Sequence, residues 1–111
     1  MPAEYKLFKS DRNGEHYFHL KAPNHEIILQ SEGYQSKAGA ENGIQSVRDH
    51  SPQECYYYRE TSTRGDPYFI LKASNGQTIG RSEMYSSAQA RDNGISSVKT
   101  NGPLAPVVDL T

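Results

Sequence analysis

The sequence predicts an α+β fold. Its plan is a tandem duplication of a β3-α unit, giving a single antiparallel sheet with two helices on one face, related by a pseudo-twofold axis. Three observations predict it. The segment Tyr17-Phe18-His19-Leu20-Lys21-Ala22 returns as Tyr68-Phe69-Ile70-Leu71-Lys72-Ala73. Residues 17–48 and 68–99 align without gaps and share 16 of 32 positions, far beyond chance for unrelated segments. Within each copy, alternating strand patterns give way to helical spacing in the same order. The 111 residues fit one domain, read as two repeats of about 3–52 and 54–103 with an extended tail, 104–111.

The elements follow in order. The first strand covers Tyr5–Lys9, and Cys55–Glu60 in the copy, with Tyr5 aligned to Tyr56 at the common offset. Asn13-Gly14 and Arg64-Gly65-Asp66-Pro67 supply turn chemistry after it. In the second strand Phe18, Leu20 and Ala22 share one face, and Tyr17, His19 and Lys21 the other. A tight turn follows, which in the copy is Ser74-Asn75-Gly76, suited to the positive φ of hairpins. The third strand is Glu26–Gln30, then Gln77–Arg81, completing an antiparallel meander.

Ser36 and Ser87 stand where an N-cap satisfies free N–H groups. Beyond them Ala40, Gly43, Ile44 and Val47, and in the copy Ala88, Arg91, Ile95 and Val98, fall at helical spacing. Gly43 and Gly94 each cost a helix about 1 kcal/mol relative to alanine, so their presence in both copies implies a close packing contact. Pro52 and Pro103 end the helices, and Val107 and Val108 are expected to add a short strand at a sheet edge.

The residues Leu20-Lys21-Ala22-x-Asn24, Ile28-x-x-Ser31-Glu32-x-Tyr34-x-Ser36 and Gly43-Ile44-x-Ser46-Val47, each repeated once, resemble the YegP-like family of small bacterial proteins. The resemblance spans about residues 3–101. It implies two β3-α units in one antiparallel sheet. It also implies that single-unit members pair as homodimers with exchanged C-terminal strands. The family has no assigned function, so no catalytic or ligand residue carries over. Two positions depart from its pattern: His25 replaces a turn glycine, and Gly33 stands at a usually bulkier position.

Composition narrows the function. Lys and Arg number 12 against 13 Asp and Glu, a formal charge of -1, which disfavours a general nucleic-acid binder. No apolar run reaches the roughly 18 residues of a membrane span, and Met1–Ser10 lacks the apolar core of a signal peptide. A lone cysteine, Cys55, fits a cytoplasmic protein.

The residues common to both copies are Tyr17/Tyr68, Lys21/Lys72, Asn24/Asn75, Ser31/Ser82, Glu32/Glu83 and Tyr34/Tyr85. They could hold a small anion. Turns, backbone-satisfying serines and cross-strand Lys–Glu pairs explain most of them without a ligand. His16 and His19 fall on opposite faces of a strand, and the copy has Pro67 and Ile70 there. No metal, cofactor or catalytic residue is assigned. Cys55 in a tyrosine-rich strand reads as a small packing residue rather than a nucleophile.

What stands out is tyrosine, with 8 residues and no tryptophan. Helices cover one sheet face, leaving Tyr17, His19, Tyr68, Ile70 and some of Tyr56, Tyr57 and Tyr58 on the other, with Lys21 and Lys72 beside them. The function expected is therefore a small non-catalytic binding module, with a candidate face of Tyr17, Lys21, Tyr68 and Lys72 and a protein as the first candidate partner. A single-stranded nucleic-acid binder using the same aromatic face is the alternative, and an enzyme comes last. Since both units lie in one chain, the sheet closes as an internal pseudo-dimer. Equilibrium sedimentation is expected to give the mass of a monomer; a tight dimer would contradict this.

Overall fold

A computed structural model describes residues 2–111. Strands β1 (Glu4–Lys9), β2 (His16–Lys21) and β3 (Ile27–Ser31) precede helix α1 (Lys37–His50). A single 3-10 turn, Glu54–Tyr56, then leads into β4 (Tyr57–Thr61), β5 (Pro67–Lys72) and β6 (Thr78–Arg81). Helix α2 (Ala88–Asn101) and strand β7 (Val107–Asp109) complete the chain. The fold is α+β, with one seven-stranded sheet in the order β4-β5-β6-β3-β2-β1-β7.

The pseudo-twofold axis passes between β3 and β6, which meet through the short ladder Gln30↔Arg81 and Ser31↔Gly80. Around it the duplication is faithful. Both meanders are antiparallel, and both carry a register shift at the same place, between Leu20 and Lys21 and between Leu71 and Lys72. The shift lets two successive residues, Ile28 and Leu29, turn into the core. Gly80 takes the place of Leu29 in the copy. A Cβ on Gly80 would sit 2.8 Å from Leu29 Cγ, so only one unit can carry a side chain at the axis.

Two expectations are corrected. The sheet is mixed rather than wholly antiparallel, because β7 joins β1 in parallel, with Tyr5 opposite Val107 and Lys6 opposite Val108. The edge strand expected of Val107 and Val108 is there. It runs antiparallel to β6, the strand before α2, and since β1 is also antiparallel to β6, the two meet in the parallel sense.

The second correction concerns the copy's first strand, which runs Tyr57–Thr61 instead of Cys55–Glu60. Tyr5 lies opposite Leu20 and Tyr57 opposite Leu71, so the partner of Tyr5 is Tyr57, not Tyr56. The connection from β1 to β2 is residues 10–15, but that from β4 to β5 is only 62–66. One residue lost in this turn shifts the strand by one, and a one-residue shift exchanges faces. Tyr57 is consequently buried beneath the helices and Tyr58 is turned out to solvent.

Both helices start as their serines require. Ser36 Oγ accepts from Gly39 N at 3.0 Å, and Ser87 Oγ from Ala90 N at 3.1 Å. Their inner stripes, Ala40, Ile44 and Val47 with Ile95 and Val98, close over Tyr5, Leu7, Phe18, Leu20, Leu29, Phe69 and Leu71. Tyr34 stacks on Phe18 and Tyr85 on Phe69, both at 6.3 Å, and each tyrosine tip rests on the glycine of its helix. A Cβ on Gly43 would also lie 2.9 Å from Phe18 Cε2, whereas one on Gly94 would clear Phe69 by 3.3 Å.

The helix C-termini meet at the axis. Ser51 and Gly102 cap α1 and α2, and a Cβ on Gly102 would strike Ser51 Oγ at 2.6 Å. Gly102 has ordinary helical φ, so glycine is needed there for closeness and not for conformation. Tyr5 Oη donates to Gly102 O at 2.6 Å, and Tyr57 Oη to Ser51 O at 2.7 Å. The first strand of each unit thus holds the helix end of the other. Arg48 and Lys99 lie over the Tyr5 and Tyr57 rings at 5.1 and 5.6 Å.

Two outcomes are expected from thermal or denaturant unfolding. Tyr5→Phe strands the buried Gly102 carbonyl and destabilises by about 1–3 kcal/mol, with Tyr57→Phe similar; wild-type stability in both would show the ties to be idle. Gly43→Ala is destabilising by about 1–2 kcal/mol, since overpacking against a buried phenylalanine exceeds the helix-propensity gain. Gly94→Ala loses less, and a rise in Tm for Gly43→Ala would contradict the packing account.

Candidate functional site

The inward residues Phe18, Leu20, Phe69 and Leu71 are fully buried. Strand alternation therefore turns Tyr17, Lys21, Tyr68 and Lys72 to the face the helices leave bare; all four are half-buried. They do not form one cluster. Strands β3 and β6 lie between β2 and β5, which sets the two strands about 14 Å apart at ~4.8 Å per step. β2 and β5 also run in opposite directions, so Tyr17 and Tyr68 sit at opposite ends of the face. The pairing registers place His19, Gln30, Arg81 and Ile70 in a row between them.

The two ends differ in chemistry. At the Tyr17 end, Phe8 stacks on Tyr17 at 5.9 Å and meets His19 edge-on at 4.9 Å. Asn13 Nδ2 donates to Tyr17 Oη at 3.0 Å and to Glu15 Oε1 at 3.2 Å. Phe8, Asn13, Tyr17 and His19, with Ser10, Arg12 and Gln30, line an open groove of about 560 Å³. Burial, reinforced by the Lys21 charge and opposed by Glu83, holds His19 below the ordinary imidazole range. At the other end Glu60 stands opposite Tyr68, and Lys72 Nζ lies 4.5 Å over the Tyr58 ring. Of the three tyrosines 56–58 offered by the sequence, Tyr58 is the one on this face. Phe8 and Arg81 are additions to the sequence candidates, Phe8 being legible as the outward neighbour of Leu7.

Most residues shared by the copies have structural work. Ser31 Oγ accepts from Phe18 N and donates to Glu32 O, and Ser82 Oγ does the same for Phe69 N and Glu83 O. Asn24 and Asn75 Oδ1 accept from the N–H two residues on, closing the hairpin turns. In the first of these turns His25 takes φ +70°, where Gly76 takes +86° in the second. Tyr34 and Tyr85 seat the helices. The cross-strand Lys–Glu pairs do not form: Lys21 and Lys72 have no ion-pair partner among the described residues, and Glu83 accepts from Gln30 instead.

Charge is distributed unevenly. Of the six ion pairs among the described residues, only Lys6–Glu4 lies on the bare face. The other five belong to the helices and the strand edges beside them, including the cluster in which Glu54 accepts from both Arg59 and Lys99, which pulls its carboxyl down to about 2. Cys55 is exposed in the 3-10 turn and is not the packed strand residue expected, because the strand starts only at Tyr57. Among the described residues no three His, Cys, Asp or Glu side chains converge, and no helix is long and apolar enough to cross a membrane.

These features define a class: a duplicated α+β protein whose paired units share one core and leave one sheet face uncovered. The model of the family described as Domain of unknown function (DUF1508) matches the chain twice, over residues 11–57 and 62–109. The chain belongs to this family. It is 55% identical over 103 residues to UPF0339 protein YegP of Yersinia pestis, covering 93% of this chain and 92% of that one. It is 52% identical to a UPF0339 protein of Shewanella oneidensis over the full length of both. The solution NMR structure of the UPF0339 protein from Shewanella oneidensis superposes with a TM-score of 0.93 at 52% identity, covering all of this chain and 93% of that one. That of the Escherichia coli protein of unknown function yegP gives 0.93 at 50%, covering all of this chain and 95% of that one.

Proposed function

We propose that the protein is a small non-catalytic binding module, and that the bare sheet face is its contact surface for an acidic or phosphorylated partner. One observation carries this reading. Lys21, Lys72 and Arg81 stand there without ion-pair partners among the described residues, interspersed with Phe8, Tyr17, Tyr58 and Tyr68. Aromatic area supplies binding energy and unpaired cations select the sign of the partner. The helix side, by contrast, has most of its charges matched internally. The lone Cys55 supports a cytoplasmic setting.

Single-stranded nucleic acid is the second reading. A sheet face that mixes aromatic rings with free cations suits stacked bases and phosphates, although the formal charge of -1 provides no long-range attraction.

The test is capture from a native lysate, with identification of both proteins and nucleic acids. Tyr17→Ala with Tyr68→Ala is expected to abolish capture while leaving the far-UV circular dichroism unchanged. Because the two tyrosines are far apart, the single variants report which end is used. Full retention of binding by the folded double variant would move the contact surface elsewhere.

A further inference from the structure

The pseudo-twofold symmetry is broken where the groove lies, and nothing in the fold requires the break. The register equates Phe8 with Glu60, His19 with Ile70 and Gln30 with Arg81. All six residues are on the bare face, where no helix packs on them. The second unit folds without the aromatic pair and without the extra turn residue between its first two strands. The first unit's groove residues are thus dispensable to the architecture.

Their chemistry is specific. Phe8 and Tyr17 stand nearly parallel, 18° apart, so together they present an aromatic wall. His19 lies edge-on to Phe8, and its burial disfavours the protonated form, so it adds a polar ring to the wall. The amides of Asn13 and Gln30 are bonded to Tyr17, Glu15 and Glu83 and reach a ligand by exchanging those partners, and Arg12 brings a guanidinium to the exposed rim. A planar heteroaromatic ring with edge hydrogen-bonding groups fits the wall and the amides, and an attached phosphate fits Arg12.

We infer that this groove binds a nucleotide, with the base against Phe8 and Tyr17 and the phosphate toward Arg12. The inference rests on the binding-module reading of the sheet face and narrows it to one end. A free mononucleotide and one unit of a single strand share this chemistry. The volume of about 560 Å³ is within the range of small-molecule sites.

The experiment is amide and side-chain NMR titration of the whole protein with four ribonucleoside monophosphates, with a short single-stranded oligonucleotide, and with inorganic phosphate alone. Saturable shifts confined to Phe8, Arg12, Asn13, Tyr17, His19 and Gln30 are expected. A response to mononucleotides identifies the free ligand; a response to the oligonucleotide alone identifies the strand. Phe8→Glu and, separately, His19→Ile install the second unit's residues, so they are compatible with the fold. Phe8→Glu is expected to weaken binding about tenfold or more by removing the stacking wall, and Glu41→Gln, on the exposed side of α1, to leave it unchanged. Equal shifts with inorganic phosphate would overturn the inference, as would no response to either nucleotide form. Capture of a protein partner that is lost in Tyr68→Ala and kept in Phe8→Glu would overturn it while upholding the sheet face as a binding surface.

Discussion

The structure depends on the place where two helix ends touch. Ser51 and Gly102 pack against each other at the axis, and their carbonyls are held by Tyr57 and Tyr5 from strands on opposite sides of the sheet. Each hydroxyl is buried, and burial raises both phenols well above the ordinary tyrosine range. They therefore stay protonated and donate at any physiological pH. A helix end has carbonyls with no partner in its own helix; here one such carbonyl on each helix becomes a fastening point for the other unit. Neither unit is complete alone, because the group that satisfies its helix end belongs to its twin.

That reciprocity constrains how far the two copies can diverge. Residues near the ties remain paired in kind: Arg48 with Lys99 above the tyrosines, Tyr34 with Tyr85 on the helix glycines, Ser31 with Ser82 beneath the hairpins. Away from them the copies part. Leu7 is fully buried, with β7 alongside its strand. Its counterpart Arg59 is exposed on the free edge of β4, tied to Glu54 and Asp92. The chain leaving α1 has to become β4 itself, so it cannot also lie beside β4 as β7 lies beside β1. A charged residue is the usual protection for such an edge.

Much of this was legible in the sequence, for reasons that are local. Alternation along Tyr17–Ala22, the N-cap serines, the turn asparagines and the helix glycines each state a short-range requirement, and the repeat states every one of them twice. What escaped was set by relations between distant segments. A gap-free offset equates Tyr5 with Tyr56, and only the pairing with β5 shows that one turn is shorter and that Tyr57 is the buried partner. The direction of β7 depends on where α2 delivers it, which no local pattern encodes. The candidate face was legible by alternation, whereas its division into two unlike ends was not. That division follows from the strand order β5-β6-β3-β2, a property of the junction at Gln30 and Arg81.

β1 is synthesised before every other strand of this fold, and β7 after every other. The outer edge of β1 takes its hydrogen bonds from that final segment, with Tyr5 N donating to Pro106 O at 2.8 Å and Leu110 N to Leu7 O at 2.8 Å. The Tyr5 hydroxyl finds its acceptor 97 residues downstream. On the ribosome the opening strand is therefore left with one bare edge and an unmatched hydroxyl until Gly102 and the β7 segment have emerged. Contacts that span the full sequence form slowly, and an unpaired strand edge is open to the wrong partner meanwhile. The last strand of the fold to emerge is the one that closes the first.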